Sequence, residues 1–305
     1  MKIGVMRYSA IGDIALLLPL LRAMPEKPVI ITSPLGRALL EDEFDDFVVL
    51  RSKKLRDVLA HIAEIRRRRF DVLLDQQNND RSRLIRTFAG ARRMYCHRSK
   101  LLEIPAFERA KILFEKSSLL GTLDDRFVAK PKNYIVLNAG SSPRWISKRL
   151  PDAKWREIAG VLRERFALPL VLTGSADETD YIAHVASVVG APVENRAGKT
   201  SLVELKHLLG GAFLTVTTDS AAMHISAAMK TPTIGVFGAS TWKSMPFGPW
   251  NAALFDHTVY PDGQPPVPTQ VCGNYYDHVD IREGLDRLKD FLECGGLPLL
   301  SHGPA

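Results

Sequence analysis

Short runs of aliphatic and β-branched residues recur along the chain, separated by longer stretches in which apolar residues return every three or four positions. The runs are KIGVM, VIIT, FVVL and DVLLD in the first half, then YIVLNAG, LPLVLTG, FLTVTT and PTIGVFG in the second. Runs that are apolar at successive positions are typical of strands covered on both faces. Their alternation with helical stretches predicts an α/β fold built on parallel sheets.

The alternation is interrupted once, in the middle of the chain. Residues 98–130 are charged and irregular, and a new strand begins at Tyr134 after the sequence KPKN. We therefore predict two doubly wound, Rossmann-like domains, covering residues 1–130 and 131–305. An amphipathic helix from about 279 to 293 is expected near the end of the second domain, followed by CGGLPLLSHGPA as a loose tail.

Composition narrows the class of protein. A chain of 305 residues that is 46% hydrophobic and 25% charged is typical of soluble globular proteins. Its three cysteines lack metal-ligand spacing, and HExxH and DxD motifs are absent, so neither a disulfide framework nor a metal is expected. The longest apolar run, IALLLPLL, is too short for a membrane span, and no export signal is evident, so we predict a cytoplasmic location.

Charge is distributed unevenly. Residues 1–130 carry 25 Lys and Arg against 17 Asp and Glu, whereas residues 131–305 carry 16 against 17. A basic first half favours an anionic partner, such as a phosphorylated substrate, nucleic acid or a negatively charged membrane surface. Solvated surface charge without a partner is the alternative. Nucleic acid is the weakest of these partners, because no recognised binding module accompanies the charge.

Ligands of open parallel sheets bind beyond the carboxyl ends of the strands. In the first half, the loop SAIGD follows the first strand and places Asp13 at a helix start. An acid at this position either caps the helix or offers its carboxylate to a ligand, and both interpretations are open. The loop lacks the GxGxxG spacing of dinucleotide-binding enzymes, and no GxSxG hydrolase motif occurs in the chain.

Three segments of the second half have the features of an anion site. The loop with Ser141 and Ser142, followed by Lys148, resembles a phosphate cradle without Walker spacing. Glu178 lies at a helix start, where it either accepts from a ribose hydroxyl or caps the helix. In TTDSAAMH, Asp219 and Ser220 are expected to cap a helix of small residues that begins at Ala221, and the amides of that helix suit a diphosphate. His224 lies one turn later, where a core histidine is the alternative to a ligand-binding one.

Together these segments resemble the bacterial heptosyltransferase family, which transfers sugars during assembly of the lipopolysaccharide core. The residues that carry the resemblance are SAIGD, DQQNNDRSRLIRTFAGARR, GSSPRWISKRLP, LTGSADE and TTDSAAMHISAAMKTPTIGVFG, in family order from residue 3 to about 250. Ala221 departs from the glycine that is usual after Asp-Ser. The resemblance implies a GT-B fold, in which an N-terminal acceptor domain and a C-terminal nucleotide-sugar domain face each other across a cleft.

The resemblance also implies roles for the candidate residues. Asp13 is the expected general base of an inverting, metal-independent transfer of heptose, or a related sugar, from ADP-heptose to a lipopolysaccharide core or other saccharide acceptor. Lys148 is expected to act in catalysis by stabilising the departing diphosphate. The other donor-binding or phosphate-binding candidates are Ser141, Ser142, Glu178, Asp219, Ser220, Ala221 and His224. No cofactor is expected beyond the ADP-heptose donor, and an anionic acceptor would bring the enzyme to the inner face of the cytoplasmic membrane.

Two other functions remain open at the level of sequence. One is an epimerase or hydrolase of nucleotide sugars with the same fold. The other is a sugar-binding protein without catalytic activity. Turnover of ADP-heptose without an acceptor would indicate the first, and donor binding without any turnover would indicate the second.

Overall fold

The structure, a computed structural model, describes residues 1–97, 104–141, 143–259 and 273–293. The chain divides into two compact units, Met1–Asp124 (unit 1) and Asp125–Ala305 (unit 2). The division falls six residues before the predicted boundary because residues 125–130 are tied to unit 2. Lys130 Nζ donates to the carbonyl oxygens of Gly210 and Met229 at 2.9 and 2.8 Å. Phe127 packs on Trp250, with ring centroids 6.1 Å apart.

Unit 1 is a five-stranded sheet with helices between its strands. The strands occur in the order β3-β2-β1-β4-β5, and the paired strands are parallel. Its elements are β1 (Ile3–Met6), α1 (Ile11–Leu16), α2 (Leu18–Arg22), β2 (Val29–Thr32), α3 (Pro34–Leu40), β3 (Phe47–Val49), α4 (Leu55–Arg68), β4 (Val72–Asp75), α5 (Asp80–Ala89), β5 (Arg93–Cys96) and α6 (Ala106–Lys116). The central strands β1, β2 and β4 are buried throughout, as their continuous apolar runs predict.

The helix α6 corrects one prediction. It lies within residues 98–130, which the sequence indicated to be irregular. Its buried residues, Phe107, Ala110, Leu113 and Phe114, return at helical spacing and face the core. The charged residues between them obscured this pattern in the sequence.

Unit 2 is a six-stranded parallel sheet in the order β11-β10-β9-β6-β7-β8. Its strands are β6 (Ile135–Asn138), β7 (Leu170–Thr173), β8 (Val193–Asn195), β9 (Leu214–Thr218), β10 (Thr233–Phe237) and β11 (Asn251–Phe255). Its α-helices are α7 (Asp152–Phe166), α8 (Thr179–Val189), α9 (Leu202–Gly211), α10 (Ala221–Ala228), α11 (Ile281–Arg287) and α12 (Lys289–Glu293). Short 3-10 helices cover Pro143–Lys148, Ala176–Glu178, Trp242–Ser244 and His257–Val259.

The end of unit 2 differs from the prediction. The single helix expected at about 279–293 is two helices, α11 and α12, with Leu288 between them. Leu288 is buried, at 1% exposure, so the interruption keeps its side chain in the core. The predicted tail, 294–305, lies outside the described residues.

The two parallel sheets with intervening helices confirm the predicted α/β class. Because the strands of each sheet run parallel, the loops that follow them gather at one edge of that sheet. In unit 1 the loops after β1, β4 and β5 meet there, and in unit 2 those after β6, β7 and β9. In the part of the chain that the structure describes, no helix has the length and apolar character needed to cross a membrane.

Candidate functional site

The loop between β1 and α1 is fixed by side chains from neighbouring strands. Gln77 Oε1 accepts hydrogen bonds from the backbone N–H groups of Tyr8 and Ser9, at 2.9 and 3.0 Å. The Thr32 hydroxyl donates to the carbonyl oxygen of Arg7 at 2.6 Å. These bonds anchor the loop to the end of β2 and to the segment that follows β4, so the start of α1 has a defined position.

Asp13 is the third residue of α1 and lies at this fixed point. Its Oδ2 accepts from the backbone N–H of Ala10 at 2.9 Å and pairs with Arg7 Nη2 at 2.6 Å. Arg7 Nη1 donates to the carbonyl oxygen of Gln76, so Arg7 ties Asp13 to the end of β4. The carboxylate is 43% exposed, and both contacts use Oδ2. Asp13 thus satisfies the helix start through Oδ2, and neither of these contacts occupies Oδ1.

A small pocket that is partly open to solvent adjoins Asp13 within unit 1. Its polar lining consists of Arg7, Asp13, Gln76, His97 and Arg109. Burial, reinforced by the charge of Arg109, lowers the pKa of His97 to about 4, so the ring is neutral at pH 7. Among the described residues, His97 Nε2 is buried without a hydrogen-bond partner. The pocket therefore combines two cations, a neutral imidazole and a carboxylate.

Sequence reasoning found Asp13 and missed the rest of this pocket. Arg7 directly follows β1, Gln76 directly follows β4, and His97 directly follows β5. The rule that ligands bind at the carboxyl ends of parallel strands was the signal that could have found them. Arg109 was hidden because its helix, α6, was not predicted.

In unit 2, Lys148 and Asp219 form an ion pair. Lys148 ends the 3-10 helix after β6, and Asp219 follows β9, the neighbouring strand. Lys148 Nζ lies 2.6 Å from Asp219 Oδ2, and the two side chains are only 18% and 11% exposed. Two residues 71 positions apart in sequence thus meet at the carboxyl edge of the sheet, a contact that the separate motifs did not predict.

A buried polar network supports this pair. The Asn138 side-chain amide donates to the hydroxyls of Ser220 and Thr217, at 3.0 and 3.4 Å. Its carbonyl oxygen accepts from the Thr173 hydroxyl at 3.0 Å. The network joins the ends of β6, β7 and β9, and its members other than Ser220 were not predicted. The sequence feature that could have identified them is the polar residue at the end of each of these three apolar strands.

The expected side-chain capping of α10 is wrong. Ser220 is the N-cap residue, but its hydroxyl makes no capping bond and is engaged by Asn138 and Thr217. The carboxylate of Asp219 pairs with Lys148 instead. The positive end of the α10 dipole, which begins at Ala221, is therefore left to interact with an anion from outside the helix.

The remaining candidates differ in their surroundings. Ser141 is buried, and its hydroxyl donates to the carbonyl oxygen of Trp145 at 3.2 Å. Ser142 lies outside the described residues. His224 is buried within α10, at 8% exposure, where it packs inside unit 2.

Glu178 lies close to the loop that follows β6. Its Oε2 accepts from the backbone N–H and the hydroxyl of Ser175, at 2.9 and 2.8 Å, which is the capping arrangement left open by the sequence. Oε1 is buried, has no hydrogen-bond partner among the described residues, and lies 3.9 Å from Arg149 Nη2. A Cβ atom at Gly140 would come within 2.5 Å of Oε2, so the loop needs glycine to approach the carboxylate.

Gly140 also links Glu178 to the Asp219 region, because its carbonyl oxygen accepts from the Thr218 hydroxyl at 2.9 Å. The edge of the sheet therefore gathers two carboxylates and two cations around an uncapped helix start. Within the described residues, no group of three or more His, Cys, Asp or Glu side chains is arranged to hold a metal ion.

Comparison with known proteins places the chain in a family. The model of glycosyltransferase family 9 (heptosyltransferase) matches residues 99–257, just over half of the chain. That region contains Lys148, Glu178 and Asp219 and begins after Asp13. Lipopolysaccharide heptosyltransferase 3 of Escherichia coli K12 is 29% identical over 165 residues, which cover 52% of this chain and 42% of that relative.

Solved structures show the same fold over most of the chain. E. coli ADP-heptose lipopolysaccharide heptosyltransferase II matches with a TM-score of 0.71 and 19% identity, covering 96% of this chain and 98% of that one. E. coli heptosyltransferase WaaC with ADP-2-deoxy-2-fluoro heptose matches with a TM-score of 0.64 and 20% identity, covering 83% and 92%. These matches confirm the predicted GT-B fold class, and the family match confirms the resemblance seen in the sequence. The chain is a member of glycosyltransferase family 9, the heptosyltransferases.

Proposed function

We propose that the protein is an inverting, metal-independent glycosyltransferase that moves heptose, or a closely related sugar, from ADP-heptose to a saccharide acceptor such as the lipopolysaccharide core. Unit 2 binds the donor and unit 1 binds the acceptor. The relatives support this choice, since they are named lipopolysaccharide heptosyltransferases and one solved neighbour holds an ADP-heptose analogue.

The carrying observation is the Lys148–Asp219 pair at the uncapped start of α10. A diphosphate at this position would draw Lys148 from Asp219 and would accept from the first amides of α10. Positive groups fixed in advance stabilise charge that develops on a leaving group, and one such donor contributes a factor of about 10² to 10³ in rate. Glu178 Oε1, which is buried and has no hydrogen-bond partner among the described residues, is suited to accept from a ribose hydroxyl of the nucleoside.

The pocket beside Asp13 supports an anionic acceptor. Arg7 and Arg109 supply positive charge, and neutral His97 offers a ring nitrogen to a hydroxyl or carboxylate. Asp13 Oδ1 is available to accept a proton, whereas Oδ2 is held by Arg7 and Ala10. This division orients the carboxylate while keeping one oxygen accessible.

The proposed reaction is a single displacement. The acceptor hydroxyl oxygen attacks the anomeric carbon of the donor, and its proton passes to Asp13 Oδ1. The bond between the anomeric carbon and the diphosphate oxygen breaks as the new glycosidic bond forms on the opposite face. ADP leaves with its negative charge held by Lys148 and the α10 amides, and the anomeric configuration is inverted.

The test is product analysis of the full chain with ADP-heptose and a Kdo-containing acceptor in the presence of EDTA. We expect one glycoside and one ADP per turnover, with inverted anomeric configuration by NMR. Rapid consumption of ADP-heptose without acceptor would instead indicate an epimerase or hydrolase. Binding of ADP-heptose without turnover under any condition would indicate a sugar-binding protein.

An acceptor carried on a glycolipid implies a cellular location for the enzyme. We propose that the protein acts in the cytoplasm at the inner face of the cytoplasmic membrane, with no nucleic-acid partner. The excess of positive charge in residues 1–130 supports this location, because that membrane surface is anionic.

A further inference from the structure

Two neighbouring helices of unit 1 expose large apolar side chains to solvent. Leu55 and Leu59 on α4 are 69% and 56% exposed, and Leu84 and Phe88 on α5 are 44% and 50% exposed. Each pair is spaced by four residues, so its members lie on the same side of their helix. We call these four residues the α4–α5 face.

The two pairs lie on helices that pack against each other. α4 and α5 pack together, and their inner residues Val58, Ile62, Ile85 and Ala89 belong to one apolar cluster. A Cβ atom at Gly90, the residue after α5, would lie 3.6 Å from Arg66 Cγ near the end of α4, so the helices run side by side in the same direction.

Helical periodicity then decides which sides meet. Leu59 lies seven residues before Arg66 and so faces α5 with it. Because α5 runs parallel to α4, the side of α5 that faces α4 lies on the opposite flank of its buried residues from the flank that α4 uses. Leu84 and Phe88 lie on that flank of α5. The four apolar side chains are therefore contiguous. Scattered exposed leucines are ordinary on a protein surface, but a contiguous apolar surface marks an interaction site.

Positive charge surrounds the α4–α5 face. Residues 51–69 contain eight Lys and Arg against two Asp and Glu, and residues 80–93 contain five against one. The side chains of Arg56, Arg67 and Arg83 are 95%, 77% and 68% exposed, and each also forms an ion pair with an acid of its own helix. The acids of α4 are engaged locally, since Asp57 accepts from Ser52 and Glu64 from Arg67 and Arg68.

We propose that the α4–α5 face docks onto an anionic lipid bilayer, with its apolar side chains among the lipids and the surrounding cations on phosphate head groups. An apolar strip bordered by Lys and Arg is the pattern of a surface that lies in the membrane interface. A second copy fits less well, because a symmetric contact would bring two basic faces together. Nucleic acid would use the cations but leave the leucines without a partner.

This inference rests on the proposed use of a glycolipid acceptor, and its test does not require catalysis. The full chain is mixed with phosphatidylcholine vesicles that contain or lack phosphatidylglycerol and is then floated through a density gradient at low and high salt. We expect retention on the anionic vesicles, loss of retention at high salt, and little retention on the neutral vesicles.

Two double variants separate the apolar and the electrostatic contributions. Leu59→Ser with Phe88→Ser, and Arg56→Gln with Arg83→Gln, should each lower the partition onto anionic vesicles by about tenfold. Leu35→Ser is the matched control, because Leu35 is 57% exposed on α3, which packs against α1. That control should partition like the wild type, and equal thermal shifts with ADP should show that all variants are folded.

Wild-type retention by the variants, or equal binding to neutral and anionic vesicles, would overturn the proposal. A change from dimer to monomer in Leu59→Ser/Phe88→Ser on gel filtration, without an effect on flotation, would assign the face to self-association instead. Transfer to a soluble saccharide acceptor is measured on the same preparations. A protein that floats as expected but transfers no sugar keeps the docking face and loses the proposed function.

Discussion

Asp13 in unit 1 and Asp219 in unit 2 are alike in their local geometry. Each follows a central strand of a parallel sheet near the start of a helix, and each pairs with a cation at 2.6 Å. Their surroundings differ. The carboxylate of Asp13 is 43% exposed and lies beside an open pocket. That of Asp219 is 11% exposed, and the next residue, Ser220, belongs to a buried polar network.

The difference in exposure separates two uses of the same ion pair. An exposed carboxylate can reach an incoming hydroxyl, so in unit 1 the acid is the group suited to act and Arg7 positions it. In unit 2 the less exposed acid is proposed to hold Lys148 in place until an anion replaces it, so the cation is the group suited to act. Four experiments, ordered from the largest expected effect to the smallest, test this distinction.

Replacing Asp13 by Asn removes the proposed proton acceptor while keeping its size. We expect kcat to fall by a factor of about 10² to 10⁴, the usual contribution of a general base. The affinity for ADP, measured by calorimetry, should not change. Asp45→Asn is the matched control, because that carboxylate is 89% exposed and its cation is 3.7 Å away. If ADP affinity falls with kcat, the separation of roles between the units is wrong.

Replacing Lys148 by Ala should affect both binding and chemistry. We expect kcat/KM to fall by about 10² to 10³ and ADP to bind more weakly, since the lysine is proposed to hold the diphosphate. Lys199→Ala is the control, because Lys199 in the same unit donates to the Asn195 carbonyl at the surface. Unchanged ADP affinity in Lys148→Ala would show that the lysine does not hold the diphosphate.

Replacing Asn138 by Ala removes the centre of the buried network. The Thr173 hydroxyl loses its acceptor, whereas the Ser220 and Thr217 hydroxyls lose one partner but keep each other. An unsatisfied buried group costs about 1 to 3 kcal/mol in the free energy of unfolding. Urea unfolding should report this loss, with Asn133→Ala, an exposed Asn, as the control. A stability equal to that of the wild type would mean that the network does not hold the site of unit 2.

Acid should lower the stability of the protein through a buried histidine of unit 1. Burial lowers the pKa of His61, which bonds the Tyr8 hydroxyl at 2.8 Å, to about 4. The unfolded chain binds this proton near pH 6.5 and the folded chain only near pH 4, so stability is lost as pH falls through that window. Between pH 7 and pH 5 we expect a loss of about 2 kcal/mol from His61.

The variant His61→Gln tests this assignment by urea unfolding at the two pH values. It should have a smaller pH-dependent loss than the wild type, because glutamine does not titrate. His97, whose pKa burial also lowers to about 4, would account for a remaining loss. An undiminished loss in the variant would place the acid-sensitive group elsewhere.

The predictability of the fold followed the burial of each element. The runs VIIT and DVLLD became β2 and β4, which are buried on both faces, so continuous apolar character identified them. Three of the four edge strands, β5, β8 and β11, were not predicted, whereas the fourth, β3, was predicted from the run FVVL. β5, for example, exposes Arg93 and Met94, so its sequence carries little of the apolar signal.

The residues of the candidate sites, like the strands, were predicted where a local pattern identified them. Short motifs after strands identified Asp13, Lys148, Glu178 and Asp219, because the carboxyl edge of a parallel sheet is defined by the chain direction alone. The local sequence did not show which of these residues contact each other. The partner of Lys148 is 71 residues away, and the side chain of Ser220 turned from its own helix to Asn138 on another strand.

The sequence by itself determined the α/β class, the buried strands, the family and the charge of residues 1–130, since these depend on side-chain type and spacing along the chain. The tertiary structure decided which carboxylate is exposed, which cation each acid pairs with, and how α4 and α5 join their apolar residues into one surface. Those features depend on the burial and contacts of residues distant in sequence, which spacing along a single chain does not encode.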